Sequence, residues 1–450
     1  MITLYQHQRD AIDQTDGLNR VAYYHDMGLG KTFTGSCKLM KLDARVNLIV
    51  CQKSKIDDWL DHFDLYSDMW CNHNLIYDLT DKNGLEAVMG VVSDHAYTQR
   101  IIGVINYELV WRRRELLQLQ KFTLLLDESS LIQNENAKRS SFILKMRPAN
   151  VILLSGTPTG GKYENLWSQM NLLGWPISKQ MYWNQYIDFH YENNAGFPLK
   201  VIDGYKNVDR LKMKMRAHGC HFLKTDEVFT LPDQIHQPVR VPITKEYRQF
   251  RKDRIVEVHT KVFDHLIDSS WDGKTYDDLH ELVGDTTLTR LLYERQLCGQ
   301  YNREKLLAFR DLVESTNDRL IVFYNFYAEL DRMQGILQDT DFGYTKRFSL
   351  VNGEIKALKN YENREDSITF IQYQAGAMGL NLQKANKIIY FTPPLSSELF
   401  EQSKKRIHRI GQHRPCFYYY LICKGSVEEK IYGTLEKRKD YTEQLFEQDL

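Results

Sequence analysis

Residues 27–32 read Met27-Gly28-Leu29-Gly30-Lys31-Thr32, and further along stands Leu124-Leu125-Leu126-Asp127-Glu128. In this order, each after an apolar run, they are the two halves of a nucleotide-hydrolysing site. Gly28 and Gly30 permit a tight loop whose backbone N–H groups can wrap a polyphosphate. Lys31 reaches the outer phosphates in such a loop, and the Thr32 hydroxyl sits on Mg²⁺ at the N-terminus of the following helix. Asp127 ends a strand-like run, where a Mg²⁺ carboxylate belongs, and Glu128 is placed to orient or deprotonate the attacking water.

Around this pair the chain alternates. Val46–Cys51, Ile101–Ile105, Thr123–Leu126 and Val151–Leu154 are short apolar runs with helical stretches between them, and Val21–Tyr24 leads into the glycine loop. That alternation predicts a parallel sheet with helices on both faces and ligands at the carboxyl ends of its strands. Residues 167 to about 305 read as mostly helical, with a strand at Gln237–Val241. A second alternating block follows, with strands at Leu320–Tyr324, Ser367–Gln372, Lys387–Phe391 and Phe417–Ile422, then a helix over Val427–Phe446.

The expected organisation is a first lobe over residues 1–236, with a helical insertion at about 167–225. A second lobe follows over 237–450, with a helical insertion at about 245–300 and a final helix at 427–446.

With 450 residues, 42% hydrophobic and 12% aromatic, the chain can form two or three full cores. It contains no apolar run long enough for a membrane span. The N-terminal Met-Ile-Thr-Leu-Tyr-Gln-His-Gln has neither the basic start nor the apolar core of a signal peptide. Its seven scattered cysteines include no Cys-x-x-Cys, and Cys71-Asn72-His73 has poor ligand spacing. Reduced thiols, no structural zinc and a cytoplasmic location (host cytoplasm for a viral protein) are expected.

The 59 basic and 59 acidic residues cancel, so any nucleic-acid site must be a local surface. Arg112-Arg113-Arg114, Arg210–Arg216, Arg248–Arg254 and Lys404–Arg414 are candidates, though each reads equally as a solvated helix face.

A hydrolase that couples turnover to movement needs positive charge supplied by a second lobe. Glu401–Gln412 has that chemistry. Arg406 and Arg409 are three apart and would share one face of a helix, where they could neutralise charge on the transferring phosphoryl. A basic surface helix would look the same over these twelve residues alone.

The ordered set resembles the Swi/Snf-type branch of helicase superfamily two, which are double-stranded-DNA translocases. The residues carrying the likeness are Asp26–Thr32, Val50-Cys51-Gln52-Lys53-Ser54 with Trp59, Ile105-Asn106-Tyr107-Glu108 and Leu154-Ser155-Gly156-Thr157-Pro158. They continue with Leu320–Phe326, Ala375–Leu382, His408-Arg409-Ile410-Gly411-Gln412 and Gly425–Ile431, so that the likeness runs from about residue 4 to 445.

The resemblance implies an α/β fold of two RecA-like parallel-sheet lobes with helical insertions and a nucleotide cleft between them. It implies ATP and Mg²⁺ as ligands and a backbone grip on duplex DNA with little sequence specificity. Gln8 matches the residue that reads adenine, and Gly379 and Gln402 match positions beside the nucleotide. Lys53, Asn106, Thr157, Asn325, Gly376 and Asn381 match contacts to the DNA backbone.

There are departures. His25-Asp26 stands where Asp-Glu is usual, and Ser130 replaces a histidine. Lys405 replaces an aspartate, and His221 and Phe222 replace paired arginines of a lobe-to-lobe contact. His7 stands in place of a tyrosine.

These observations imply a DNA-stimulated ATPase, a monomeric motor that moves along duplex DNA and remodels or displaces bound proteins. The near-bare motor points to a bacterial or phage source. A strand-separating helicase and an ATP-binding clamp without turnover are the competing readings.

Overall fold

The computed structural model describes residues 3–66, 74–93, 98–194, 197–262, 276–338, 347–376 and 380–446. They form two compact units, one of Met1–Thr230 with Arg438–Leu450 and the other of Leu231–Lys437.

The first unit is built on β1 (Arg20–His25), β2 (Val46–Cys51), β3 (Leu75–Asp78), β4 (Ile101–Asn106), β5 (Thr123–Asp127), β6 (Asn150–Ser155), β7 (Ile187–Asn194), β8 (Phe197–Tyr205) and β9 (Cys220–Leu223). Seven of these make a sheet in the order β3-β4-β2-β5-β6-β1-β9, parallel throughout.

All six residues of β2 and of β4 are buried. Their side chains alternate between two cores: Leu48, Val50, Leu124 and Leu126 enter one, Ile49, Leu125, Ile102 and Val104 the other. A sheet covered on both faces needs such unbroken apolar runs, which is why they were readable.

The second unit holds β10 (Gln234–Val241), β11 (Ile255–Val262), β12 (Tyr276–Val283), β13 (Leu320–Tyr324), β14 (Phe348–Val351), β15 (Lys356–Ala357), β16 (Ile368–Gln372), β17 (Lys387–Tyr390) and β18 (Cys416–Cys423). Its sheet runs β10-β18-β17-β13-β16-β14-β15, parallel except for β14 against β15. Its first strand pairs with its last over eight residues, from Gln234↔Cys416 to Val241↔Cys423.

The segments expected to be mostly helical are not. β7 and β8 form an antiparallel hairpin, and so do β11 and β12. The reason is visible in the period: Ile187, Phe189 and Tyr191 alternate with Asp188, His190 and Glu192, a strand pattern. Lys200 Nζ lies 4.2 Å from the ring centroids of both Trp183 and Phe189, so these aromatics pack around a local cation. In the second unit Arg254, at φ +61°, ends the helix Lys245–Asp253 and starts β11.

The final helix spans Val427–Phe446 as expected. Within the first unit, a Cβ on Gly161 (φ +75°) would meet Arg438 O at 2.2 Å, so glycine alone permits that approach. No helix of the described residues is long and apolar enough to cross a membrane.

Candidate nucleotide site

β1 ends at His25 and the helix Lys31–Lys41 begins after Gly30, so the intervening loop lies at the carboxyl end of a central strand. Gly28 and Gly30 take φ +91° and +70°. A Cβ on Gly30 would lie 2.3 Å from Gln8 Nε2. That amide donates to Gly30 O at 3.1 Å, and Gln8 Oε1 accepts from Tyr5 N at 2.9 Å. His7 Nε2 donates to Leu29 O at 3.0 Å. Gln8, expected to read adenine, is thus fastened to the loop.

Lys31 Nζ donates to His25 O at 2.8 Å and Asp26 O at 3.2 Å. Asp26 Oδ2 accepts from the backbone N and hydroxyl of Thr225, both at 3.1 Å. His25 Nε2 lies 2.9 Å from His221 Nδ1. Two departures noted in the sequence therefore fall on one contact. His221, which stands where the resemblance would put an arginine of a lobe-to-lobe contact, partners a residue of its own unit. Burial pushes His25 well below the ordinary histidine range and His221 down to about 4.

β5 delivers Asp127 and Glu128. Trp59 Nε1 donates to Asp127 Oδ2 at 2.9 Å. Burial raises the Asp127 carboxyl above its usual range, opposed by that bond and by Lys31. Glu128 takes φ +57° and ψ +60°, a left-handed conformation unusual outside glycine. The Tyr107 hydroxyl donates to Asp127 O at 2.9 Å and Glu128 O at 3.3 Å. Ser155 Oγ donates to Glu128 Oε2 at 3.3 Å and accepts from Thr157 N at 3.2 Å. A Cβ on Gly156 would lie 3.5 Å from Lys31 Nζ. The unit thus gathers Gly30, Lys31, Thr32, Asp127, Glu128 and the Ser155 turn. Thr32 and Asp127 offer oxygen donors, and a buried carboxylate is one that a hard divalent cation stabilises, so this set fits Mg²⁺.

Sequence reasoning assigned no support role to Trp59, Tyr107 or Ser155, although each lies in a quoted segment. Their partners stand 20–68 residues away, beyond any local spacing.

In the second unit the helix Ser397–Lys404 stops before either arginine, so the expected shared helical face does not exist. Beyond it the side chain of Gln412 pins the loop, donating to Ala385 O at 2.8 Å, Gln383 O at 3.2 Å and Ile407 O at 3.3 Å. Arg406 is buried, whereas Arg409 is half-buried and bonds Asn381 Oδ1. Gln402 is buried and donates to Glu398 of its own helix at 3.4 Å.

Among the expected DNA contacts, Lys53 and Asn381 are exposed, whereas Asn106 and Thr157 are buried at 3% and 8% exposure. Asn106 Nδ2 donates to Glu108 at 2.7 Å. Asn325 turns inward, its amide meeting Thr392 Oγ1 at 2.8 Å and Pro393 O at 3.1 Å. Gly376 is buried, and a Cβ there would meet Phe323 at 3.0 Å. Gly379, Cys71 and His73 lie outside the described residues.

Away from the nucleotide loop, ligand atoms of Cys298, Cys423 and Glu428 lie within 4.8 Å of one another. The cation beside them is the Lys305 ammonium, 2.5 Å from Glu428 Oε1.

Two RecA-like lobes, one bearing a phosphate loop with an acidic pair, define a helicase-superfamily ATPase. Residues 22–302 match the SNF2-related domain and residues 304–411 the helicase conserved C-terminal domain. The chain belongs to the SNF2-related family of superfamily-two ATPases.

It is 25% identical to the YwqA protein of Bacillus subtilis, named as an ATP-dependent helicase/translocase, over 74% of this chain and 37% of that one. It is 22% identical to the mouse SWI/SNF-related matrix-associated actin-dependent regulator of chromatin subfamily A member 1, over 90% of this chain and 39% of that one. The chain thus spans under two-fifths of either relative. A Sulfolobus solfataricus SWI2/SNF2 ATPase core solved with double-stranded DNA aligns over 98% of this chain and 92% of that one, at 17% identity and a TM-score of 0.44.

Proposed function

We propose that this ATPase is a Mg²⁺-dependent translocase on duplex DNA that displaces or remodels what is bound there. The observation carrying the reading is the constellation of Lys31, Asp127 and Glu128 at the carboxyl ends of β1 and β5, in a chain whose family relative is named a helicase/translocase. Lys31 and the loop amides bind the polyphosphate, and Glu128 orients the attacking water and takes its proton. Thr32 and Asp127 would hold Mg²⁺, which when bound neutralises charge on the outer phosphate oxygens. Arg406 and Arg409 are assigned the charge that develops on the transferring phosphoryl group. Lys53 and Asn381, the exposed members of the expected set, are the first choices for gripping phosphate.

Steady-state ATP hydrolysis with no nucleic acid, single strands, duplex DNA and duplex RNA tests this at two salt concentrations. Stimulation by duplex DNA alone, fading with salt, is expected. Equal stimulation by single strands would sink duplex translocation. That outcome would favour strand separation.

A further inference from the structure

Two buried side chains hydrogen-bond to the acidic pair, one to a carboxylate and one to the backbone. Trp59 is 1% exposed and Tyr107 is fully buried. Indole nitrogen can only donate. Its bond to Asp127 Oδ2 therefore fixes the rotation of a carboxylate attached to the backbone through a single methylene. Tyr107 acts on the backbone instead. The β2–β5 ladder ends at Val50↔Leu126, so Asp127 O lies one residue beyond it. The Tyr107 hydroxyl supplies a donor there and reaches Glu128 O as well. A non-glycine residue in the left-handed region is strained and persists where its surroundings enforce it. Tyr107 is such an enforcer for Glu128.

Both supports grow out of segments that carry expected DNA contacts. Lys53 opens the short turn Lys53–Lys55, which runs straight into the helix Ile56–Leu65 bearing Trp59. Asn106 is the residue before Tyr107 and caps the short helix Tyr107–Val110. Each support is therefore joined to an expected DNA-contact residue, the exposed Lys53 or the buried Asn106, through one short element.

We propose that Trp59 and Tyr107 are positioning residues for Asp127 and Glu128, and that they transmit duplex occupancy at the exposed Lys53 to the hydrolytic pair. The transmission half rests on the translocase reading above; the positioning half does not.

The test uses the full chain with Trp59→Phe and Tyr107→Phe, which keep a ring and delete the N–H or O–H. Binding of a fluorescent ATP analogue is titrated with Mg²⁺, and kcat and KM are measured with and without duplex DNA. For Trp59→Phe the Mg²⁺ concentration at half-maximal analogue binding should rise about tenfold, with analogue affinity at saturating Mg²⁺ unchanged. For Tyr107→Phe, kcat should fall about tenfold at constant KM. In both, the ratio of stimulated to basal kcat should drop toward one while DNA affinity persists.

Variants that fold and keep the Mg²⁺ midpoint, kcat and stimulation ratio would overturn the proposal and leave these side chains as core packing. Should Trp59→Phe not fold, Tyr107→Phe, which removes one oxygen atom, decides alone. A wild-type enzyme that duplex DNA fails to stimulate would defeat the translocase reading, yet the Mg²⁺ shift and basal kcat loss would still judge the positioning role.

Discussion

Arg409 donates a hydrogen bond to the side-chain oxygen of Asn381. The first was expected to serve the phosphoryl group and the second to serve DNA, and the fold holds them together within one unit. Arg409→Ala should lower turnover by roughly 10³ with little loss of ATP affinity, because a guanidinium of this kind acts on transition-state charge. Steady-state hydrolysis and analogue binding check it; a large affinity loss instead would assign Arg409 to ground-state nucleotide. Asn381→Ala, which releases Arg409 from its partner, should raise DNA-free hydrolysis and shrink the stimulation by DNA.

Glu128→Gln should keep nucleotide binding and lose at least about 10²-fold in turnover, since it removes the proposed base and leaves Asp127 in place. Near-wild-type hydrolysis by the purified variant would take Glu128 out of the mechanism.

The His25–His221 contact makes the first unit acid-sensitive. One ring nitrogen donates and the other accepts, so the accepting ring must be neutral, and burial favours the neutral form of both rings. An unfolded histidine takes its proton near pH 6.5, whereas burial delays uptake by His221 to about 4. Between those values the unfolded chain binds more protons, so this contribution is fully present above about 6.5 and is lost as pH falls toward 4. It is worth about 3 kcal/mol over that window. Melting temperature against pH should show this slope in the wild type and a shallower one in His221→Phe. Parallel curves would refute it.

Lys305 and Glu428 form an ion pair with neither side chain exposed, and Glu428 Oε2 also accepts from Cys423 N at 2.9 Å. Lys305→Met leaves that carboxylate buried without its cation and should cost roughly 3–5 kcal/mol. The double variant with Glu428→Gln should recover part of the loss. Denaturant unfolding measures both, and equal losses in single and double variants would contradict the pairing.

How legible this was in the sequence depended on whether a signal was local. Val46–Cys51 and Leu320–Tyr324 were readable with their true bounds, because a short, mostly apolar run with β-branched residues suits a doubly covered strand. Leu75–Asp78 is half-buried throughout, and Cys220–Leu223 is an edge strand with a single buried residue, so neither stood out. The hairpins were obscured by aromatic residues, which announce packing more loudly than period. Lys31, Asp127 and Glu128 were legible because each stands at the boundary of an element. Trp59 bonded to Asp127, Gln412 pinning a loop, and the meeting of His25 with His221 are products of tertiary packing, and no spacing encodes them.

The pairing of β10 with β18 has a consequence for synthesis. Gln234–Val241 leaves the ribosome about 180 residues before the strand that it must join. At about 5–20 residues per second, the nascent chain carries that unpaired strand for ~10–40 s. Until Cys416–Cys423 emerges, the sheet of the second unit lacks the strand that joins β10 to β17. During that interval β10 offers its backbone to any passing strand, and this long-range closure sets the slow, aggregation-exposed step of folding.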